Sequence, residues 1–346
     1  MITKELQEIT QNIIKNGRIP INGGIELLSN CNFKCVHCYN AMEKQECMSF
    51  EFASNIADQL EKLGTMHVFL TGGEVLLHPQ FEKIYKYFRN KGIAVSILTN
   101  ISLLNDRYIN LFEEYTPYDI DISLYGITNK TYESVTGIKR GFELVERNIL
   151  KLAEHKINFS LKTVILKENI HELEEMIKFA NKFNKKLKIY TDIRPLNNGN
   201  PRTKEHQISL EDIIEVEKTT GKWENTSLKN GERRKEREKR REQGYLYFCE
   251  LGKYNFFITY EGILHGCVKE RIHGYNLKEI SVADGFNRML NDVVLKKAEQ
   301  FNKCSTCRYI KYCEYCPAQF ELETGDILTP PADVCELAKT RYLVFE

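Results

Sequence analysis

The sequence predicts an α/β fold, a partial (β/α)6 barrel of the TIM type followed by a small cysteine-rich module. Three observations carry this prediction. Between residues 24 and 196, short β-rich runs alternate with helical patterns. The runs read as apolar strands buried on both faces, which argues for a parallel sheet whose C-terminal loops are available for a site. The 11 cysteines are bunched at both ends and absent between Cys47 and Cys249, and the last third has short apolar runs between cysteines, the character of a metal-stapled module. Six units are too few for an eight-fold barrel, so an open, partial one follows. Residues 1–23 are then an N-terminal amphipathic segment, 24–225 the barrel, 226–244 a charged linker helix and 245–346 the cysteine-rich domain.

Taken in order, Leu6, Ile9, Ile13 and Ile14 give the first segment an apolar stripe. The expected strands are GIELLSN (24–30), HVFLTGG (67–73), AVSILTN (94–100), DIDISLYG (119–126), FSLKTVIL (159–166) and LKIYTDIRPL (187–196). Helices between them open on capping residues: Ser49 before FEFASNIADQLEKLG, Asn105 and Asp106 before RYINLFEEY, Asn169 before IHELEEMIKFANKF. In NGERRKEREKRREQG (230–244), Glu232 with Lys235 and Glu236 with Arg240 fall at helical spacing. That pattern predicts a solvated linker helix, with a basic patch for an acidic peptide or phosphate as the alternative.

Composition excludes several classes. A 346-residue chain with 42% hydrophobic residues is globular rather than disordered. Its net charge of +1 announces neither a nucleic-acid nor a membrane partner. Lys4, Glu5, Glu8, Lys15 and Arg18 interrupt any signal-peptide core, and no run approaches the roughly 18 apolar residues of a membrane span. A cytoplasmic protein with reduced thiols is expected, and an odd cysteine count favours metal ligation over disulfides.

Cys31, Cys35 and Cys38, in CNFKCVHC, follow the first expected strand. A structural metal site needs four ligands; three hold a metal and leave one position open to chemistry. Three close cysteines also suit part of a zinc site. Thr71, Gly72, Gly73 and Glu74 end the second expected strand, where a lone Gly-Gly pair would be a turn. Together the two motifs resemble the signature of radical S-adenosylmethionine (SAM) enzymes.

The resemblance implies that the three thiolates hold three irons of a 4Fe-4S cluster whose fourth iron is chelated by SAM. It implies that Gly72 and Gly73 let the backbone approach the methionine moiety while Glu74 accepts from its ammonium. Ser123 matches a ribose-binding position, Thr99 and Asn100 face the site, and Arg194 suits a carboxylate of SAM or substrate. His37 fills a slot that is usually aromatic in the family; a metal ligand is its other reading. Turn or capping roles are the alternatives for Ser123, Thr99, Asn100 and Arg194. The implied reaction is reductive cleavage of SAM to a 5'-deoxyadenosyl radical that abstracts a hydrogen, fed by an electron donor such as flavodoxin or ferredoxin.

Cys249-x12-Gly262-x4-Cys267, then Cys304-x2-Cys307-x5-Cys313-x2-Cys316 and Cys335, resemble the SPASM-type extension of some radical SAM enzymes. The gap before Cys316 is two residues where three is usual. The resemblance makes this an iron-sulfur module: Cys304, Cys307, Cys313 and Cys335 would hold one auxiliary 4Fe-4S cluster, and Cys249, Cys267 and Cys316 another. Some relatives carry a further cysteine just before the first of these; here the stretch is EQGYLYF. A four-cysteine zinc knuckle is the competing reading of CSTC and CEYC. Cys47 is expected to be free.

SPASM-type enzymes mostly modify peptides, so the resemblance implies a ribosomally made peptide substrate receiving a crosslink, thioether or epimer. Val268 stands where formylglycine-generating members have an aspartate, which argues against that activity. Many peptide-maturing relatives carry a leader-binding winged domain in front; the short segment before the first strand here leaves leader recognition to a separate protein, the amphipathic segment or the basic helix. The alternatives are a small-molecule, cofactor or haem-precursor substrate, or a non-catalytic iron-sulfur or zinc protein. Lys162, Asp192 and Tyr125, on strand ends, are candidates to act on substrate, with packed or solvated roles as the alternative.

Overall fold

The computed structural model describes residues 18–40, 46–223, 231–298 and 302–346. The stripe expected over residues 6–14 lies outside them. Six parallel strands stand side by side in chain order: β1 (Asn22–Glu26), β2 (His67–Thr71), β3 (Ala94–Thr99), β4 (Asp119–Ser123), β5 (Phe159–Val164) and β6 (Lys188–Tyr190). On the free edge of β1, β7 (Asn255–Ile258) pairs parallel to it, and β8 (Ile263–His265) and β9 (Tyr275–Asn276) follow antiparallel. One sheet therefore runs from the barrel into the cysteine-rich region.

The helices are α1 (Phe50–Lys62), α2 (Phe81–Asn90), α3 (Asp106–Glu114), α4 (Asn129–Thr136), α5 (Gly141–Glu154), α6 (Leu173–Asn181), α7 (Leu210–Thr219), α8 (Gly231–Glu242), α9 (Val282–Met289), α10 (Pro317–Thr324) and α11 (Ala332–Phe345). Ser49 caps α1 by accepting from Phe52 N, and Asn105 caps α3 by accepting from Tyr108 N. Asn169 does not cap α6. Its Oδ1 accepts from Leu166 N (2.8 Å), and its amide donates to the carbonyls of Tyr125 (3.2 Å) and Val164 (3.0 Å), tying the ends of β4 and β5 together.

Each expected strand reaches past the observed one at its C-terminal end, most at the first and sixth. The apolar pattern continues there, but the backbone turns to loop partners. Gly73 N and Glu74 N, for example, donate to the carbonyls of Leu28 and Asn30 instead of to β3. The strands are also not apolar on both faces. Ile120, Ile122, Phe159 and Leu161 are buried, while Asp119, Asp121, Ser160, Lys162 and Lys188 share the opposite face and pair across strands, Lys162 Nζ with Asp121 Oδ2 at 3.4 Å. An open barrel leaves that inner face room for a polar ligand.

Near its floor Gly24 is required: a Cβ there would lie 2.3 Å from the Phe69 ring and 2.7 Å from that of Phe257. The two rings, 6.3 Å apart, fill the space beneath the site.

The charged segment is helical over Gly231–Glu242, but it is not solvated all round. Arg240 is buried and donates from Nε to the Tyr247 carbonyl (2.9 Å) and from Nη2 to that of Val294 (2.6 Å). Glu236 pairs with Lys253 at 3.6 Å. The expected Glu232 and Lys235 pair involves a side chain outside the described ones. Sequence periodicity marks a helix, but it does not mark which basic residue folds inward to bind carbonyls.

Candidate functional site

The loop from Cys31 to Cys38 leaves β1 and is held by backbone bonds on two sides. From β2, Gly73 N donates to the Leu28 carbonyl (3.0 Å) and Glu74 N to that of Asn30 (2.9 Å). A Cβ on Gly73 would lie 2.1 Å from the Asn30 oxygen, and one on Gly72 2.6 Å from the Leu28 oxygen. The paired glycines thus let two loops touch backbone to backbone. From the other side, Lys34 N and Val36 N donate to the carbonyls of Thr136 and Val135, each at 2.9 Å. These belong to the last turn of α4, where carbonyls have no partner within the helix, and Gly137 at φ 73° ends it.

Gly73→Ala is accordingly expected to push the cysteine loop away. Overpacking of this kind costs about 1–3 kcal/mol. The check is iron content after anaerobic reconstitution, which should fall by about four irons while circular dichroism stays native.

Glu74 is fully buried. Its Oε1 accepts from Leu76 N (3.0 Å) and Thr99 Oγ1 (2.6 Å), and Oε2 accepts from Asn100 N (2.7 Å). Burial raises its pKa, against the pull of these donors and of Lys162. The structure therefore places Thr99 and Asn100 around Glu74. Asn100 Nδ2 also donates to Asn32 Oδ1 (3.0 Å) and faces Cys31 Sγ at 4.0 Å, while Asn32 Nδ2 reaches Ser102 Oγ (2.8 Å). Ser123 lies at the end of β4 beside Tyr125.

His37 meets Tyr125 edge-on at 4.9 Å and is lowered to about 4, mainly by burial, so it packs as a neutral aromatic ring. Its Nδ1 has no hydrogen-bond partner. Tyr125 is pushed well above its ordinary range, first by burial.

Arg194 stacks on Tyr39, its guanidinium carbon 3.7 Å from the ring centre, and Nη1 reaches the Val268 carbonyl at 3.4 Å. It therefore bridges the first cysteine loop to the loop of Cys267. Close by, Arg271 Nη2 stands 3.7 Å from Glu26 Oε1 at the end of β1. Burial raises Glu26, while Arg271 and Arg194 pull it down. Asp192 is bound by Lys269 Nζ at 2.5 Å, and Lys269 also reaches Gln319 Oε1 at 3.0 Å. Sequence reasoning missed Asn32, Ser102, Glu26 and Arg271. Asn32 stands inside the cysteine motif, but nothing local marks Arg271, which meets β1 only once β7 has docked.

The described cysteines are all free, and all except Cys47 gather in three sets. Cys35 is raised well above its ordinary value by burial, then by Cys38 and Cys31, and Cys31 is pushed up to about 11, again mainly by burial. Cys313 is pushed up to about 12 by burial, then by Cys304, Cys335 and Cys307. Cys316 is pushed up to about 11 by burial, with Cys267 and Cys249 adding to it. Cys47 is exposed and stands apart.

Buried thiols that repel one another as thiolates need a cationic group between them, and an all-sulfur donor set suits iron-sulfur clusters or zinc. Among the described residues, no three His, Cys, Asp or Glu side chains are close enough to share one ion. All-sulfur sets are the donor chemistry of iron-sulfur clusters, and Cys31, Cys35 and Cys38 are the three thiols that could hold one at the strand ends.

Residues 25–180 match the Radical SAM superfamily. That stretch is a radical SAM domain, the part of the chain that runs from the end of β1 through β5 and holds the loop from Cys31 to Cys38. The chain is 30% identical to the subtilosin biosynthesis protein AlbA of Bacillus subtilis over 46% of this chain and 36% of AlbA. It is 27% identical to the mycofactocin maturase MftC of Mycobacterium tuberculosis over 50% of this chain and 45% of MftC. The chain thus spans less than half of either relative. Against the AdoMet-dependent heme synthase of Methanosarcina barkeri, identity is 22% over 88% of this chain and 93% of that one. In fold it resembles Streptococcus suis SuiB bound to its precursor peptide SuiA, with a TM-score of 0.71 at 16% identity over 96% of this chain and 80% of SuiB. It also resembles anSMEcpe with bound AdoMet, at a TM-score of 0.66 and 16% identity over 94% and 96%. Among the described residues, no helix is long and apolar enough to cross a membrane.

Proposed function

We propose that this radical SAM enzyme modifies a ribosomally made peptide and carries two auxiliary 4Fe-4S clusters beside the SAM-binding one. The observation that carries the reading is the grouping of ten thiols, eight of them buried or half-buried, into a trio at the barrel mouth, a trio and a quartet. AlbA and MftC are named for peptide natural-product pathways, and SuiB is solved with a precursor peptide; these relatives support the substrate class.

When bound, the first cluster supplies the electron that cleaves SAM. The protein's part is to hold the reactants. Cys31, Cys35 and Cys38 would be the ligands, and Gly72, Gly73 and Ser123 would receive SAM. Glu74, buried and bound to Leu76, Thr99 and Asn100, would shape the site from behind rather than meet the SAM ammonium. His37 and Tyr125 would close an apolar wall that keeps water out. Arg194 and Arg271 offer donors to a carboxylate at the mouth. Electron supply from a flavodoxin or ferredoxin and leader capture by a separate protein belong to the same reading.

The heme synthase, matched over nearly its whole length, supports a second reading in which the substrate is a haem precursor. Coexpression with short peptides encoded beside the gene, followed by mass spectrometry, separates the two. A mass change in a peptide supports the first, whereas unmodified peptides together with turnover of an iron porphyrin support the second.

A further inference from the structure

Arg194 and Arg271 come from opposite ends of the sheet, Arg194 from just past β6 and Arg271 from the connection between β8 and β9. They meet at one atom. Arg194 Nη1 reaches the Val268 carbonyl at 3.4 Å, and Arg271 Nε donates to the same oxygen at 3.2 Å. A ring flanks each guanidinium, with the ring centre of Tyr39 3.7 Å from the central carbon of Arg194 and that of Phe257 5.1 Å from the central carbon of Arg271. Arg271 Nη2 is buried without a hydrogen-bond partner, and Glu26 Oε1, its ion-pair partner, stands off at 3.7 Å, beyond hydrogen-bond length. The neighbouring charges are already engaged. Lys269 is bound to Asp192, and Glu270 accepts from Ile272 N (3.0 Å) and His273 N (2.8 Å). Among the described residues, two guanidinium groups thus share this place with one carboxylate, that of Glu26, and a positive charge is left over.

We propose that Arg194 and Arg271 hold a carboxylate of the peptide substrate, an aspartate or glutamate side chain or the C-terminus. This rests on the peptide reading and adds what the peptide must carry. A buried guanidinium edge without an acceptor is costly, and a carboxylate set between the two groups relieves it with charge-assisted bonds from both. Glu26, at 3.7 Å, does not. The peptide is then anchored between two cysteine loops. Tyr39, at the end of the first, supports Arg194, and Val268, beside Cys267 in the second, aligns both arginines through its carbonyl.

The test uses the full chain, reconstituted with iron and sulfide without air, as wild type, Arg271→Gln and Arg271→Lys, each checked for native circular dichroism. The probes are synthetic copies of the short peptides encoded beside the gene, unchanged, with each Asp or Glu replaced in turn by Asn or Gln, or with the C-terminus amidated. Affinity is read by calorimetry. One peptide change and Arg271→Gln are each expected to weaken binding by about ten- to a hundredfold, and the two together by little more than either alone. The peptide change that couples in this way tells a side chain from the C-terminus. Arg271→Lys, which keeps the charge, should recover part of the loss. Losses that multiply for every peptide change, or a wild type indifferent to all of them, would overturn the carboxylate site and leave the peptide reading standing. A wild type that binds none of the peptides but turns over an iron porphyrin would overturn both.

Discussion

Cys35→Ala is expected to leave a folded protein that produces no 5'-deoxyadenosine from SAM under anaerobic reducing conditions. The thiol is one of three donors at the strand ends, and no side chain among the described residues stands in as a replacement: Asn100 points at Cys31, and His37 is turned against Tyr125. Two thiols with neutral neighbours hold a cluster poorly, because one iron would lack its protein thiolate. The backbone of the loop does not depend on this sulfur. The bonds from Lys34 N and Val36 N to α4, and from Cys38 N to the Cys35 carbonyl (3.1 Å), all survive the change. Circular dichroism should therefore be native while SAM cleavage, read by chromatography, is lost. Cys313→Ala, in the quartet, is the informative contrast, since it should spare SAM cleavage and stop product formation. Equal loss of both steps in a folded Cys313→Ala protein would show that the cluster roles are not separate.

Arg341→Met is expected to be the most destabilising single change away from the clusters. Arg341 and Glu217 have side chains only 2% exposed, and they join α11 to α7 through a two-bond pair, Nε to Oε2 at 2.9 Å and Nη2 to Oε1 at 2.5 Å. Trp223 Nε1 donates to the same carboxylate at 2.7 Å. Methionine fills much of the volume but leaves Glu217 buried with its main counter-ion gone, and breaking such a pair from one side costs about 3–5 kcal/mol.

The pH dependence follows from Glu217. Burial pushes its pKa up, but the bonds and charge of Arg341, with help from Lys222 and Trp223, outweigh burial and hold it below the ordinary carboxylate value. A carboxyl lowered on folding stabilises the protein above its unfolded pKa, and this contribution fades as pH falls through the folded one. The gap in urea midpoint between wild type and Arg341→Met should thus be widest near neutrality and narrow in acid. A gap that grows on acidification would contradict the pairing.

Much of this architecture is legible in the sequence because it rests on local chemistry. Apolar runs of strand length, Ser49 and Asn105 as caps, and three cysteines after a strand each act within a few residues of themselves. The glycines of TGGE are legible too, although their role against Asn30 and Leu28 is to let two loops meet. What stays hidden depends on distant partners. Arg240 looks solvated because nothing beside it shows that it will bind the carbonyls of Tyr247 and Val294. Arg271 reaches Glu26 only because β7 joins β1 across most of the chain. The expected strands overrun because an apolar pattern does not say where backbone bonding passes from a neighbouring strand to a loop.

The central claim is that the cluster on Cys31, Cys35 and Cys38 keeps one iron for SAM. It is tested most directly by electron–nuclear double resonance on the reduced wild-type protein with SAM labelled at its amino nitrogen and carboxylate oxygens. Hyperfine coupling of both labels to the cluster is the predicted result. A fully loaded, reduced protein that binds SAM yet shows no coupling to either label would contradict it.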